Sequence, residues 1–129
     1  MEENNTAQVN KKHQVYLVKK SFFTASHSHD GALNEMEHSH EFQYEVKIKG
    51  ETNSEGYLAD FRTIEDLLNT KINRVFNYKS LNTFFRHPTT ELLAVHIYDT
   101  LKPFFQDKMH SVTLYETPDS YIIYEGISE

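Results

Sequence analysis

Four histidines, His27, His29, His38 and His40, fall within fourteen residues of a chain that contains eight in all. Imidazole nitrogens are common metal ligands, and the chain has no cysteine, so thiolate metal sites, disulfides and a cysteine nucleophile or base are excluded. A metal here must use histidine and carboxylate donors. His38 and His40 sit two apart in an alternating pattern, which puts both side chains on one face of a strand about 7 Å apart. A third imidazole from the end of a neighbouring strand would complete a His₃ set with an open fourth position, the arrangement of catalytic zinc. His27 is placed to provide it. His29 competes for that position, because a sharp turn after His27 would change which of the two points inward.

Carboxylates supply the second signal. Glu116 shares a strand face with Val112 and Leu114, where an unpaired charge is costly. It either pairs with Arg62, Arg74 or a lysine, or holds a guanidine-like N–C–N edge of a ring in a bidentate contact.

The elements that must position these groups are legible from periodicity. Gln14–Ser26 (QVYLVKKSFFTAS) is β-branched and aromatic without a helical period, so it reads as a strand, bulged at Lys19-Lys20 and closed by His27. His29–Glu37 reads as a loop. From His38 to Lys49 inward and outward residues alternate strictly, marking a half-buried strand. Gly50–Gly56 is a turn, followed by a short extended piece, Tyr57–Ala59. Asp60 caps a helix with Ile64, Leu67, Leu68, Ile72 and Val75 on one stripe. A loop with Asn77, Ser80 and Asn82 follows. Pro88 and Thr89-Thr90 open a second helix with Leu93, Ile97, Leu101 and Phe104 or Phe105 on its stripe, and Pro103 falls in its last turn. Strands over Met109–Thr117 and Ser120–Ile127 flank a Pro118-Asp119 turn. The order strand, strand, helix, helix, strand, strand implies an α+β fold, an antiparallel four-stranded sheet with two helices on one face.

The whole is one domain over residues 14–129, preceded by a polar arm over residues 1–13, in a chain of 129 residues. Lys and Arg number 13 against 19 Asp and Glu, a net charge of −6, which argues against nucleic acid as a partner. No segment has the apolar length of a membrane span or a secretory signal, so a soluble, cytoplasmic protein is expected.

Read in order, the motifs resemble those of the 6-pyruvoyl- and 6-carboxytetrahydropterin synthase family. Phe23-Thr24-Ala25-Ser26-His27 is similar to its F-x-A-x-H opening, and His38-Ser39-His40 to its H-G-H. Gly56 to Phe61 resembles its G-x-x-x-D-F, Leu81-Asn82 its L-N, Pro88 to Ala94 its P-T-x-E-x-x-A, and Glu116-Thr117 its E-T. The resemblance runs from Val15 to Tyr124. It implies the tunnelling fold, a ββααββ subunit trimerised into a β-barrel and stacked as a hexamer, acting on 7,8-dihydroneopterin triphosphate in tetrahydrobiopterin or queuosine synthesis. It makes His27, His38 and His40 ligands of a Zn²⁺ cofactor and Glu116 the anchor of the pterin ring, and it puts Thr89, Thr90 and Glu91 near the substrate. Thr89, Thr90 and Glu91 are also what a helix N-terminus favours.

The departures are specific. The family's catalytic cysteine would fall near Asn34, and its Asp-His pair before L-N is replaced by Asn77-Tyr78. A phenol with a pKa of about 10 is a base only where zinc or a cation lowers it. Some family members use a glutamate near the missing cysteine and resemble an aldolase-like variant that releases 6-hydroxymethyldihydropterin. Glu35 is the favoured base on that reading, since Glu37 precedes His38 on the strand and should point away from it. The expected activity is thus a zinc-dependent pterin lyase with a nonstandard base (Glu35, Glu37 or Tyr78), with a catalytically inactive pterin-binding module as the alternative.

Overall fold

The computed structural model describes residues 11–28 and 36–127. Among these residues, four strands form one antiparallel sheet in sequence order: β1 (Gln14–His27), β2 (His38–Glu51), β3 (Met109–Thr117) and β4 (Ser120–Tyr124). Helix α1 (Phe61–Leu68) continues through a π-helical turn, Asn69–Asn73, into a last turn, Arg74–Phe76. A 3₁₀ turn, Leu81–Thr83, leads to helix α2 (Thr90–Phe105). Residues 1–10 of the expected arm lie outside the described residues, and His13 already exchanges backbone and hydroxyl hydrogen bonds with Thr52 beside the start of the sheet.

Alternation decides which sheet face the helices cover. Leu17, Phe23, Ala25, Phe42, Tyr44, Val46, Ile48, Val112 and Leu114 are buried, and they meet Ile64, Leu68, Ile72 and Phe76 of the first helical run and Leu93, Ile97 and Leu101 of α2. The opposite face carries exposed Tyr16, Val18, Phe22, Tyr121 and Ile123. This is the expected layering.

Three local expectations need correction. The bulge placed at Lys19-Lys20 is absent, and β1 pairs with β2 from Gln14↔Glu51 to His27↔His38 without a slip. Each lysine has its own outlet: Lys19 reaches Glu65 at 3.8 Å on the helical side, and Lys20 reaches Glu45 at 3.4 Å. The register shifts occur instead at Lys47/Ile48 against β3 and at Tyr115/Thr117 against β4. Val75, expected on the buried stripe, is exposed and Phe76 is buried, because the π turn inserts a residue and resets the phase. Finally, β4 ends at Tyr124 rather than Ile127. Gly126, at φ 92°, turns the chain away there, and a side chain at that position would meet the Tyr98 hydroxyl at 2.7 Å.

The π turn has a polar reason. Asn73 is buried in it, accepting from the Tyr44 hydroxyl (2.8 Å) and donating to Oγ of Ser21 (2.7 Å) and Oδ1 of Asn69 (2.8 Å). A buried amide is tolerated because every group around it is paired. Burial pushes the Tyr44 phenol well above its ordinary pKa.

Candidate metal centre

The β1–β2 register sets the histidines. His27 lies directly across from His38, and His40 lies across from Ala25. The three rings meet edge to face, with centroids 4.7 Å apart for His27–His38, 5.3 Å for His27–His40 and 4.4 Å for His38–His40. Phe42, stacked on Phe23 at 5.3 Å, forms an apolar floor, touching His27 at 5.5 Å and His40 at 5.6 Å.

Two backbone carbonyls fix the tautomers. Nδ1 of buried His27 donates to the Pro88 carbonyl at 2.8 Å, and Nδ1 of His38 donates to the Met36 carbonyl at 2.7 Å. A carbonyl only accepts, so each neutral ring carries its hydrogen on Nδ1 and turns the Nε2 lone pair inward. This is how ligating histidines are commonly oriented.

Glu116 completes the group. Its Oε1 lies 3.2 Å from Nε2 of His27 and 3.7 Å from Nε2 of His40, so its partners are histidines and not Arg62 or Arg74. One ligand atom from each of His27, His38, His40 and Glu116 falls within 4.8 Å of all the others, a group that can hold a metal ion. Nitrogen and carboxylate oxygen donors without sulfur suit zinc as well as other first-row metals. Glu116 arrives there through the register shift: Tyr115 pairs with Tyr121 and Thr117 with Ser120, leaving Glu116 as the extra residue. Bulges of this kind re-aim side chains beside functional sites.

A strap along the free edge of β1 holds the His27 end. The Thr24 amide donates to Oδ1 of Asn77 (2.9 Å), the Tyr78 amide to the Thr24 carbonyl (2.6 Å), and the Ser26 amide to the Lys79 carbonyl (3.0 Å). Asn82 then accepts from the Ser28 amide at 2.9 Å and donates to its carbonyl at 3.1 Å. Tyr78 makes this possible by adopting φ 61°, a left-handed conformation that is costly for a bulky residue.

The remaining expected residues fall into distinct places. Glu37 accepts from the Ser26 hydroxyl at 2.9 Å, and the hydroxyls of Ser80 and Ser26 hold its carboxyl below the ordinary range. Tyr78 is 86% exposed. Thr89 caps α2, its Oγ1 accepting from the Leu92 amide at 3.1 Å, while Thr90 is buried and Glu91 exposed. Because Pro88 holds His27, this helix start is tied directly to the centre. Glu35 and His29, and Asn34 at the position of the missing cysteine, lie outside the described residues. Sequence reasoning missed the carbonyls of Pro88 and Met36 and the strap. The Leu81-Asn82 motif was the one available hint of the latter.

The sequence matches the family model described as 6-pyruvoyl tetrahydropterin synthase over residues 16–127. A 6-pyruvoyl tetrahydrobiopterin synthase from Dictyostelium discoideum is 26% identical over 120 residues, covering 88% of this chain and 87% of that protein. The fold is similar to that of 6-pyruvoyl tetrahydropterin synthase from Caenorhabditis elegans, with a TM-score of 0.78 at 20% identity, over 89% of this chain and 97% of the other. It is also similar to the Plasmodium vivax 6-pyruvoyltetrahydropterin synthase solved with a catalytic glutamate replaced by alanine, with a TM-score of 0.70 at 14% identity, over 87% and 97% of the two chains.

Proposed function

Because this chain belongs to the 6-pyruvoyl tetrahydropterin synthase family, we propose that it is a zinc-dependent pterin lyase acting on 7,8-dihydroneopterin triphosphate or a related dihydropterin. The observation that carries the reading is the convergence of His27, His38, His40 and Glu116, with two imidazoles turned inward by carbonyls. Bound by the three imidazoles, zinc supplies Lewis acidity toward a hydroxyl or carbonyl oxygen of the substrate side chain, which acidifies the adjacent C–H bond. Glu116 grips the N–C–N edge of the pterin through two parallel N–H···O bonds. Thr89, Thr90 and Glu91 border the substrate, where the N-terminus of α2 favours an anionic group.

The base is the open role. Glu37 is a weak acceptor because two hydroxyls stabilise its ionised form. Tyr78 is exposed on the strap. Glu35 therefore remains the proposed base, assigned from the sequence. The absence of cysteine and the catalytic glutamate of the Plasmodium vivax relative favour a second reading, an aldolase-like reaction releasing 6-hydroxymethyldihydropterin. A homo-oligomer, trimer or hexamer, belongs to the same proposal, since β1 and β4 are sheet edges that a neighbour would cover.

The test is to quantify zinc in the purified protein and to follow 7,8-dihydroneopterin triphosphate by mass spectrometry. A carboxy-, pyruvoyl- or hydroxymethyl-pterin is expected, and its identity selects the reaction. A zinc-loaded protein that binds the substrate and returns it unchanged would make the chain a pterin-binding module. One that binds no pterin would overturn the proposal.

A further inference from the structure

Glu116 stands where a metal ligand stands, closer than a ring anchor needs to be. A tetrahedral ion with donors about 2.0–2.2 Å from its centre separates those donors by about 3.3–3.6 Å. The distances from Glu116 Oε1 to Nε2 of His27 and of His40 are 3.2 and 3.7 Å, on either side of that range. A carboxylate holding the N–C–N edge of a pterin whose side chain reaches the same ion must stand off by the width of the ring system. One carboxylate cannot fill both positions at once.

We infer that Glu116 is an exchanging ligand: in the substrate-free protein it closes the histidine set as the fourth donor, and it leaves that position for the ring edge when a pterin binds. The inference rests on the proposed metal and pterin sites. The surroundings suit such an exchange. His27 is buried and held by Pro88, whereas the Glu116 side chain is 33% exposed. It occupies the extra position of a register shift, and exposed Thr117, Pro118 and Asp119 follow it. Of the four donors it is the one whose backbone is least constrained by the ladder. No covalent bond forms or breaks, and the carboxylate remains ionised, passing from the cation to two ring N–H donors. The resting centre is thereby shielded from stray anions, and the fourth position opens only with the ring in place.

The experiment uses the full chain loaded with Co²⁺, whose visible spectrum reports donor set and geometry, together with zinc competition against a chromophoric chelator. Glu116→Gln keeps the shape of the side chain and removes its charge. It should weaken zinc binding about tenfold or more and alter the cobalt spectrum, with circular dichroism unchanged. Addition of neopterin should shift the cobalt spectrum of the unaltered protein. If Glu116→Gln binds zinc as tightly and gives the same cobalt spectrum, the exchange is wrong while the metal site stands. If neopterin binds, as read by fluorescence quenching, without moving the spectrum, the exchange is also wrong. If the unaltered chain takes up neither metal, both the exchange and the metal site fall.

Discussion

The Pro88 carbonyl accepts from Nδ1 of His27 at 2.8 Å, joining residues 61 positions apart. It connects the start of α2 to the innermost imidazole of the candidate centre, so the cap of that helix and the orientation of a ligand are mechanically one feature. Thr89→Ala should therefore lower stability by about 1 kcal/mol through the lost cap and also weaken zinc binding, while Thr89→Ser preserves both. Thermal denaturation with and without zinc separates the two effects.

Removal of a proposed ligand has a simpler signature. His27→Ala, His38→Ala and His40→Ala should each lose stoichiometric zinc by elemental analysis. In the unaltered chain, zinc at a hundred times its dissociation constant should stabilise the fold by about 2.7 kcal/mol. The three variants should lose that zinc-dependent rise in Tm.

Asn77 is expected to act through Thr24. Asn77→Ala deprives a part-buried amide of its acceptor and should cost about 1–2 kcal/mol, while Asn77→Asp, which still accepts, should restore most of it. Tyr78→Gly should do the opposite, stabilising the protein by about 1 kcal/mol by relieving the left-handed strain. If Tyr78 takes part in turnover, that same variant loses activity as it gains stability.

Glu37 sets an acid limit on the strap. Its carboxyl is held below the ordinary range by Ser80 and Ser26, so its contribution is present above the pKa of the unfolded chain and is lost as pH falls through the lower, folded value. Ser26→Ala combined with Ser80→Ala should bring the Glu37 pKa back up toward that of a free glutamate. Carbon-detected NMR titration of the Glu37 carboxyl would read this directly.

The buried amide of Asn73 should be the most sensitive of these positions. Asn73→Leu strands the hydroxyls of Tyr44 and Ser21 and should cost about 2–3 kcal/mol, against about 1 kcal/mol for Tyr44→Phe. Urea denaturation of the two variants provides the comparison.

Much of this was legible in the residues themselves. The period of two from His38 to Lys49 put His38 and His40 on one face, and alternation from Val112 put Glu116 on the face of Leu114, but its aim at the histidines comes from the register shift, which the alternation does not show. The cross-strand register, which pairs His27 with His38, is not written in residue types. Backbone carbonyls leave no trace in residue types, so the roles of Pro88 and Met36 were invisible. Asn77 reads as a loop residue standing where the family has an acid, because an amide that mimics a backbone acceptor looks like any loop asparagine. No glycine or proline marks the register shift at Glu116. Lysines in succession suggested a bulge, but on a regular strand alternation sends them to opposite faces, each beside its own carboxylate.

The surplus residue in the π turn does more than exchange Val75 for Phe76. Each residue of a helix turns the chain by about 100°, so deleting one between Asn69 and Asn73 would leave an uninterrupted α-helix whose exit points elsewhere. Asn77 would then swing away from Thr24, and the edge of β1 beneath His27 would be left bare. The extra residue works as an index mark, timing the end of a helix so that the chain emerges aimed at the strand that carries the first histidine.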